Sequence, residues 1–215
     1  MSMAAPALLP ELEAPGYLRT KCAEMVADAP YLGLGFQKGR LPRGVHERLT
    51  AHLSANLTRF RSEGPVDEIR TAAKAVIPTL LFDDEAFNLQ LAEELRPLHE
   101  EWAKMPLALS ACYGIRCYQR GTFLYNHVDR HTHVISSTIC VDHQLDSRWP
   151  LSIHDVDGGV HQIDMAPGEF VFYEGTRLPH GRPYALDGNF YAGIFVHYHP
   201  AHGSHPSARL AVRKA

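Results

Sequence analysis

Three side chains in this 215-residue chain have the types and spacing to hold a metal ion. His127-Val128-Asp129 sets an imidazole and a carboxylate two positions apart, and on a strand such positions share a face. Val128 then turns into the opposite layer. The third donor comes from Leu178-Pro179-His180-Gly181-Arg182-Pro183, where His180 follows a strand-like run and a loop. Two imidazoles and one carboxylate on one face of an octahedron leave three positions open, the donor set of non-haem iron(II) centres. Of the 14 histidines, 11 lie between His127 and His205, so other candidates need weighing. His197 and His199 alternate on the last strand-like run, as rivals to His180 or as groups behind the ligands. His131 and His133 are too near His127 in sequence to curl back easily, and His143, His154 and His161 read as surface or turn residues.

The elements that must position these residues change character near Pro106. From there to Pro200 the pattern predicts short strands at Tyr113–Tyr118, Thr122–Asn126, Val134–Val141, Trp149–Ile153, Val160–Met165, Glu169–Tyr173 and Asn189–Tyr198. Arg120-Gly121, Asp157-Gly158-Gly159, Pro167-Gly168 and Asp187-Gly188 punctuate them. Many short strands at such spacing predict a sandwich or barrel of jelly-roll type. The first half reads as helical. Val45, Leu49, Leu53, Leu57 and Phe60 form one apolar stripe, ended by Gly64-Pro65. Asp84 is placed to cap a second helix carrying Phe87, Leu91, Leu95, Leu98 and Trp102, with Pro97 inside it. Both stripes should pack on a sheet. Residues 1–15, with Pro6, Pro10 and Pro15, should be loose or extended, and the glycines from Gly33 to Gly39 suggest a mobile cover over the site. The division is therefore an N-terminal helical support region (1–105), a β-rich catalytic core (106–200) and a polar tail (201–215).

Composition narrows the partners. A hydrophobic content of 45% supports an ordinary folded core, and a formal charge of −3 gives no reason to expect nucleic acid or an anionic membrane surface. Cys22, Cys112, Cys117 and Cys140 form no C-x-x-C pair and sit among apolar residues, which suits buried thiols in a reducing, cytoplasmic setting. No run approaches the length of a membrane helix and no secretory leader is visible. Trp149, Tyr125, Tyr173 and Tyr191 read as core, and Glu174 is placed to contact a substrate.

The stretches CYQRGTFLYNHVDR, THVISSTICVD, WPLSIHD, APGEFVFYEG, LPHGRP and NFYAGIFVHY, within Tyr113 to Pro200, resemble the catalytic domain of prolyl 4-hydroxylase-like 2-oxoglutarate oxygenases. The resemblance includes the H-x-D…H triad in order. It implies an α+β chain with a mainly β core, the double-stranded β-helix of the jelly-roll and cupin-like folds, supported by N-terminal helices. It also implies Fe(II) as cofactor, 2-oxoglutarate and O2 as co-substrates, ascorbate as accessory reductant, and hydroxylation of an unactivated C–H. The substrate would be an amino-acid-like small molecule or a peptidyl side chain. Two alternatives stand beside this reading: a cupin-like metalloenzyme that does not use 2-oxoglutarate, such as an isomerase or an O2-only dioxygenase, and a metal-free binding module.

One departure matters. The family carries a cation downstream of the distal His for the far carboxylate of 2-oxoglutarate, and here Asn189-Phe190-Tyr191 occupy that stretch. A buried dianion needs a compensating charge. Arg182, two residues past His180, is the first substitute and Arg116 the second. Arg116 alternates with Tyr118, which stands where the family often has a tyrosine bonded to the co-substrate, and Ser136 and Thr138 share a face that could add hydroxyl contacts.

Overall fold

The computed structural model describes residues 11–63, 69–71 and 79–201. The Gly64-Pro65 stop, most of the N-terminal segment and most of the polar tail lie outside the described residues. In chain order the elements are α1 (Gly16–Asp28), β1 (Phe36–Arg40), α2 (Arg43–Ala55), β2 (Arg61–Ser62), β3 (Ile69–Thr71), β4 (Leu80–Phe82), α3 (Glu85–Ala103), β5 (Leu107–Gln119), β6 (Thr122–His127), β7 (Ile135–Leu145), β8 (Leu151–His154), β9 (Val160–Ile163), β10 (Glu169–Glu174), β11 (His180–Arg182) and β12 (Gly188–Pro200). The strands form two antiparallel sheets. The larger runs β1-β10-β7-β12-β5-β4-β2 and the smaller β3-β6-β11-β8-β9.

Strict alternation along the long strands gives the larger sheet two apolar faces. Ile135, Ile139 and Val141 of β7, Phe170 and Phe172 of β10, and Ile194 and Val196 of β12 turn one way, onto the helices. Against them α2 presents Val45, Leu49 and Leu53, and α3 presents Leu91, Leu95 and Ala103, at the spacing of a helix face. Each such leucine fully buried contributes roughly 1.5–3 kcal/mol. The intervening residues Cys140, Val171, Tyr173 and Tyr191 turn the other way, toward Trp149, Leu151 and Ile153 of the smaller sheet's side. The helices thus support the large sheet, as the stripes predict.

Asp84 caps α3 by accepting from the Phe87 N–H at 3.2 Å. Pro97 sits inside α3 without ending it. The other helix is shorter than its stripe. α2 stops at Ala55, where Asn56 leaves helical geometry and its side-chain amide donates to the His52 carbonyl at 2.7 Å, so Leu57 is left exposed.

The first hundred residues are less helical than their composition suggests. β1 extends the large sheet at one edge, and β4 and β2 extend it at the other. The expected glycine-rich cover is not one. Residues 36–40 are strand β1, and the buried Glu174 carboxylate accepts from the N–H groups of Leu32, Leu34 and Gly35 at 2.7–2.9 Å. Glu174 is therefore an anchor for that loop, not a substrate contact. The described end of the N-terminal segment is tied down too, Leu12 donating to the Pro183 carbonyl at 2.7 Å.

Candidate metal centre

β6 ends at His127, so the H-x-D pair is not carried wholly on a strand. Val128 and Asp129 follow in extended chain that stays attached, the Asp129 N–H donating to the Gly175 carbonyl at 2.8 Å. His180 is the first residue of β11, not a loop residue as the flanking Pro and Gly suggest, and it stands directly opposite His127. That pairing closes the triad. One ligand atom from each of His127, Asp129 and His180 lies within 4.8 Å of the others. Nδ1 of His127 meets the Tyr125 carbonyl at 2.9 Å and Nδ1 of His180 meets the Leu178 carbonyl at 2.8 Å. A carbonyl only accepts, so both Nδ1 atoms carry the proton and Nε2 is the ligating nitrogen in each ring. His180 Nε2 lies 3.6 Å from Asp129 Oδ1. The Asp129 carboxyl is buried, which opposes its charge. The imidazoles of His180, His197 and His127 outweigh this and hold it well below the usual carboxylate range.

The triad opens into a cavity of about 300 Å³ between the two sheets. The large sheet contributes Arg116, Tyr118, Thr138, Tyr173, Phe195 and His197, and the small sheet Leu124, Leu151 and Arg182. Of the five residues singled out for co-substrate contact, Arg182, Tyr118, Arg116 and Thr138 line this one space with the triad, whereas Ser136 does not line it and bonds Asp129 instead. The two arginines differ in their partners. Arg116 is held by Glu63 through two bonds, Nε to Oε2 at 2.6 Å and Nη2 to Oε1 at 2.5 Å. Burial works against its charge, but Tyr118 and Glu63 beside it raise its pKa above the ordinary value.

Arg182 is only 3% exposed, and among the described residues no carboxylate reaches it. Its guanidinium donates to the Trp149 carbonyl and, at 2.7 Å, to the Tyr191 hydroxyl. It stacks between the Trp149 and Tyr191 rings, 4.7 and 4.3 Å from their centroids. Tyr191, Trp149 and Tyr173 are thus core residues with a second task, since the first two cradle Arg182 and the third packs its ring 4.3 Å from His180.

Two neighbours were not legible as site residues. Tyr113 and His133 line the cavity, joined by a 2.7 Å bond between the phenol oxygen and Nε2. An odd-numbered Tyr113 should face away from Arg116 and Tyr118. Between Ile194 and Val196 the β12 register advances by two residues while β5 advances from Ile115 to Cys112, so β5 carries a bulge. Gly114 sits there at φ +76, where a Cβ would also strike the Phe82 carbonyl. The bulge reverses the alternation and turns Tyr113 inward. Of the rival histidines, His197 stacks on His133 at 4.3 Å, whereas His199 bonds Ser110. His154 and His161 lie on β8 and β9, bonded to Asn126 and Asp155.

No family model matches the chain, and no curated protein matches it by sequence. Solved structures do. An oxidoreductase of the 2OG-Fe(II) oxygenase family from Burkholderia pseudomallei is 15% identical over 92% of this chain and 97% of its own, with a TM-score of 0.59. The chain has the fold of the 2OG-Fe(II) oxygenases. A Pseudomonas putida prolyl-4-hydroxylase shares this double-stranded β-helix at TM-score 0.54 and 16% identity, over 84% of this chain and 97% of its own. So does HygX from Streptomyces hygroscopicus, solved with nickel, 2-oxoglutarate and hygromycin B bound, at TM-score 0.55 and 13% identity over 85% and 87%. Among the described residues no helix is long and apolar enough to cross a membrane.

Proposed function

We propose that the protein is an iron(II)- and 2-oxoglutarate-dependent dioxygenase that hydroxylates an unactivated C–H of a small amino-acid-like molecule or a peptidyl side chain. The observation that carries this reading is the His127–Asp129–His180 cluster in one cavity with Arg182, a buried cation met by neutral groups alone. His127 and His180 would hold iron through Nε2 and Asp129 through Oδ1. The iron would supply oxygen activation coupled to oxidation of 2-oxoglutarate to succinate and CO2.

The remaining chemistry belongs to the chain. His180 and Arg182 stand two residues apart on β11, which suits a ligand that reaches from the metal to a cation. A guanidinium fork pairs with a carboxylate through two bonds, and stacking between Trp149 and Tyr191 fixes that fork in advance. Arg116 suits the role less, because Glu63 already meets its charge. The Tyr118 and Thr138 hydroxyls on the same cavity wall would bond the co-substrate. Leu124, Leu151 and Phe195 keep the space apolar around these few polar groups, as specific ligand sites require.

The cavity volume is at the small end of ligand pockets, which favours a compact substrate or a single inserted side chain. The solved relatives include both a prolyl hydroxylase and a protein that binds hygromycin B, so either form of substrate has precedent on this fold. The four thiols are all unpaired among the described residues, which supports a reducing, cytoplasmic setting. The test is succinate formation from 2-oxoglutarate with Fe(II) and ascorbate in air. Wild-type protein should release succinate even without its own substrate, and His127→Ala should release none. A wild-type preparation that binds Fe(II) but forms no succinate would favour the cupin-like reaction instead.

A further inference from the structure

Asp129 is the one ligand of the triad with two equivalent donor atoms, and the surroundings treat them unequally. Oδ1 faces His180 Nε2 at 3.6 Å. Oδ2 accepts from the Ser136 hydroxyl at 2.7 Å. A carboxylate only accepts, so the single hydroxyl proton is committed there, the His133 carbonyl lying farther off at 3.2 Å. The 2.8 Å contact between Ser136 Oγ and His197 Nδ1 must then run the other way, with Nδ1–H donating to Oγ. His197 and Ser136 stand directly opposite each other on β12 and β7, and the His197 ring is clamped by its stack on His133. Ser136, His197 and His133 are buried, and the Asp129 side chain is 10% exposed. Space closes the arrangement, because a Cβ at Gly175 would collide with both Asp129 Oδ2 and Ser136 Oγ.

We infer that Ser136, oriented by His197 and admitted by the bare backbone of Gly175, is a positioning residue that restricts Asp129 to ligation through one oxygen. The inference rests on the iron reading above. Its consequence is coordination number. A carboxylate free to rotate could ligate through both oxygens and fill a position that the co-substrate pair needs, whereas an anchored Oδ2 leaves three positions open. The relay runs His197 Nδ1–H to Ser136 Oγ–H to Asp129 Oδ2, and neither Ser136 nor His197 touches the ion.

Equilibrium titration of metal-free, full-length protein with Fe(II) under anaerobic conditions tests it, with thermal unfolding of the metal-free form beside it. Ser136→Ala should weaken Fe(II) binding by roughly 10–100-fold, the usual range for loss of a group behind a ligand. His197→Phe should also weaken it. His197→Asn, which places an amide N–H near the Nδ1 position, should restore most of the affinity. A merely structural role would lower the unfolding temperature of all three variants and leave the metal affinity of folded protein unchanged. Wild-type affinity in both Ser136→Ala and His197→Phe overturns the inference, and so does a His197→Asn protein as weak as His197→Phe. Ser136→Ala removes a single oxygen, so it decides the matter if the larger change at 197 does not fold. Wild-type protein that takes up no Fe(II) removes the iron reading and this inference together. Wild-type uptake with unaffected variants removes the inference alone.

Discussion

Arg182 brings a full positive charge into the interior and meets it with a carbonyl, a phenol, a thioether and two aromatic faces. Such a charge is costly to bury unless a ligand completes its surroundings. Geometry rather than charge should dominate what it does. Lysine keeps the charge but loses the planar fork and the stacking on Trp149 and Tyr191. Arg182→Lys should therefore raise the KM for 2-oxoglutarate by roughly 10–100-fold, the equivalent of a hydrogen bond to a charged group at about 1.5–3 kcal/mol. Fe(II) affinity and kcat should change far less, because the triad does not lean on this side chain. Succinate release measured across 2-oxoglutarate concentrations separates the two. An unchanged KM would move the role to Arg116, and Arg116→Lys would then show the effect.

At the scale of elements, most strands after Pro106 were legible because they alternate with period two and are separated by glycine turns. The two helix stripes were legible for the matching reason at period 3.6. What sequence could not give was anything decided by a partner strand. β1, Phe-Gln-Lys-Gly-Arg, is a half-exposed edge with no apolar alternation, and β4 and β2 are three and two residues long. His180 looked like a loop residue because its strand has three members, and its place opposite His127 depends on pairing across 53 positions of sequence. The triad itself was readable from residue type and order, and the Tyr113–His133 pair was hidden by one bulge. His99 was missed for a related reason. On α3 it looks like one more helix-face residue, yet its Nδ1 meets the Leu95 carbonyl at 2.8 Å and its Nε2 meets Ser137 of β7 at 2.9 Å, joining helix to sheet. Burial pushes its pKa down from 6.5 to about 4, so it is neutral when folded. The unfolded chain then binds the proton more readily. The stability from neutral His99 is intact above about pH 6.5 and is lost as pH falls toward 4. The loss amounts to about 3 kcal/mol. Urea unfolding at pH 7 and pH 4.5 should show a smaller acid loss in His99→Gln than in wild type. Equal losses in the two proteins would mean that His99 does not titrate between them.

At the scale of the whole molecule, the candidate centre joins two sheets that otherwise meet through apolar packing. His127, His180 and Arg182 come from the small sheet's strands, while Thr138, Tyr173 and His197 come from the large one, with Asp129 on the chain between them. An ion and a co-substrate bound there would hold to both sheets at once and would bind the folded chain only. Ligand at about a hundred times its Kd adds about 2.7 kcal/mol to stability. In a domain of this size each kilocalorie moves the unfolding midpoint by roughly 2–4 °C. Anaerobic Fe(II) together with 2-oxoglutarate should therefore raise Tm by roughly 5–10 °C. The order of addition carries the information. Fe(II) alone should give part of the shift, 2-oxoglutarate alone almost none, and Arg182→Lys should keep the Fe(II) increment while losing most of the 2-oxoglutarate increment. A full shift from 2-oxoglutarate in the presence of a chelator would mean that it binds away from the triad, and the cavity would then need another occupant.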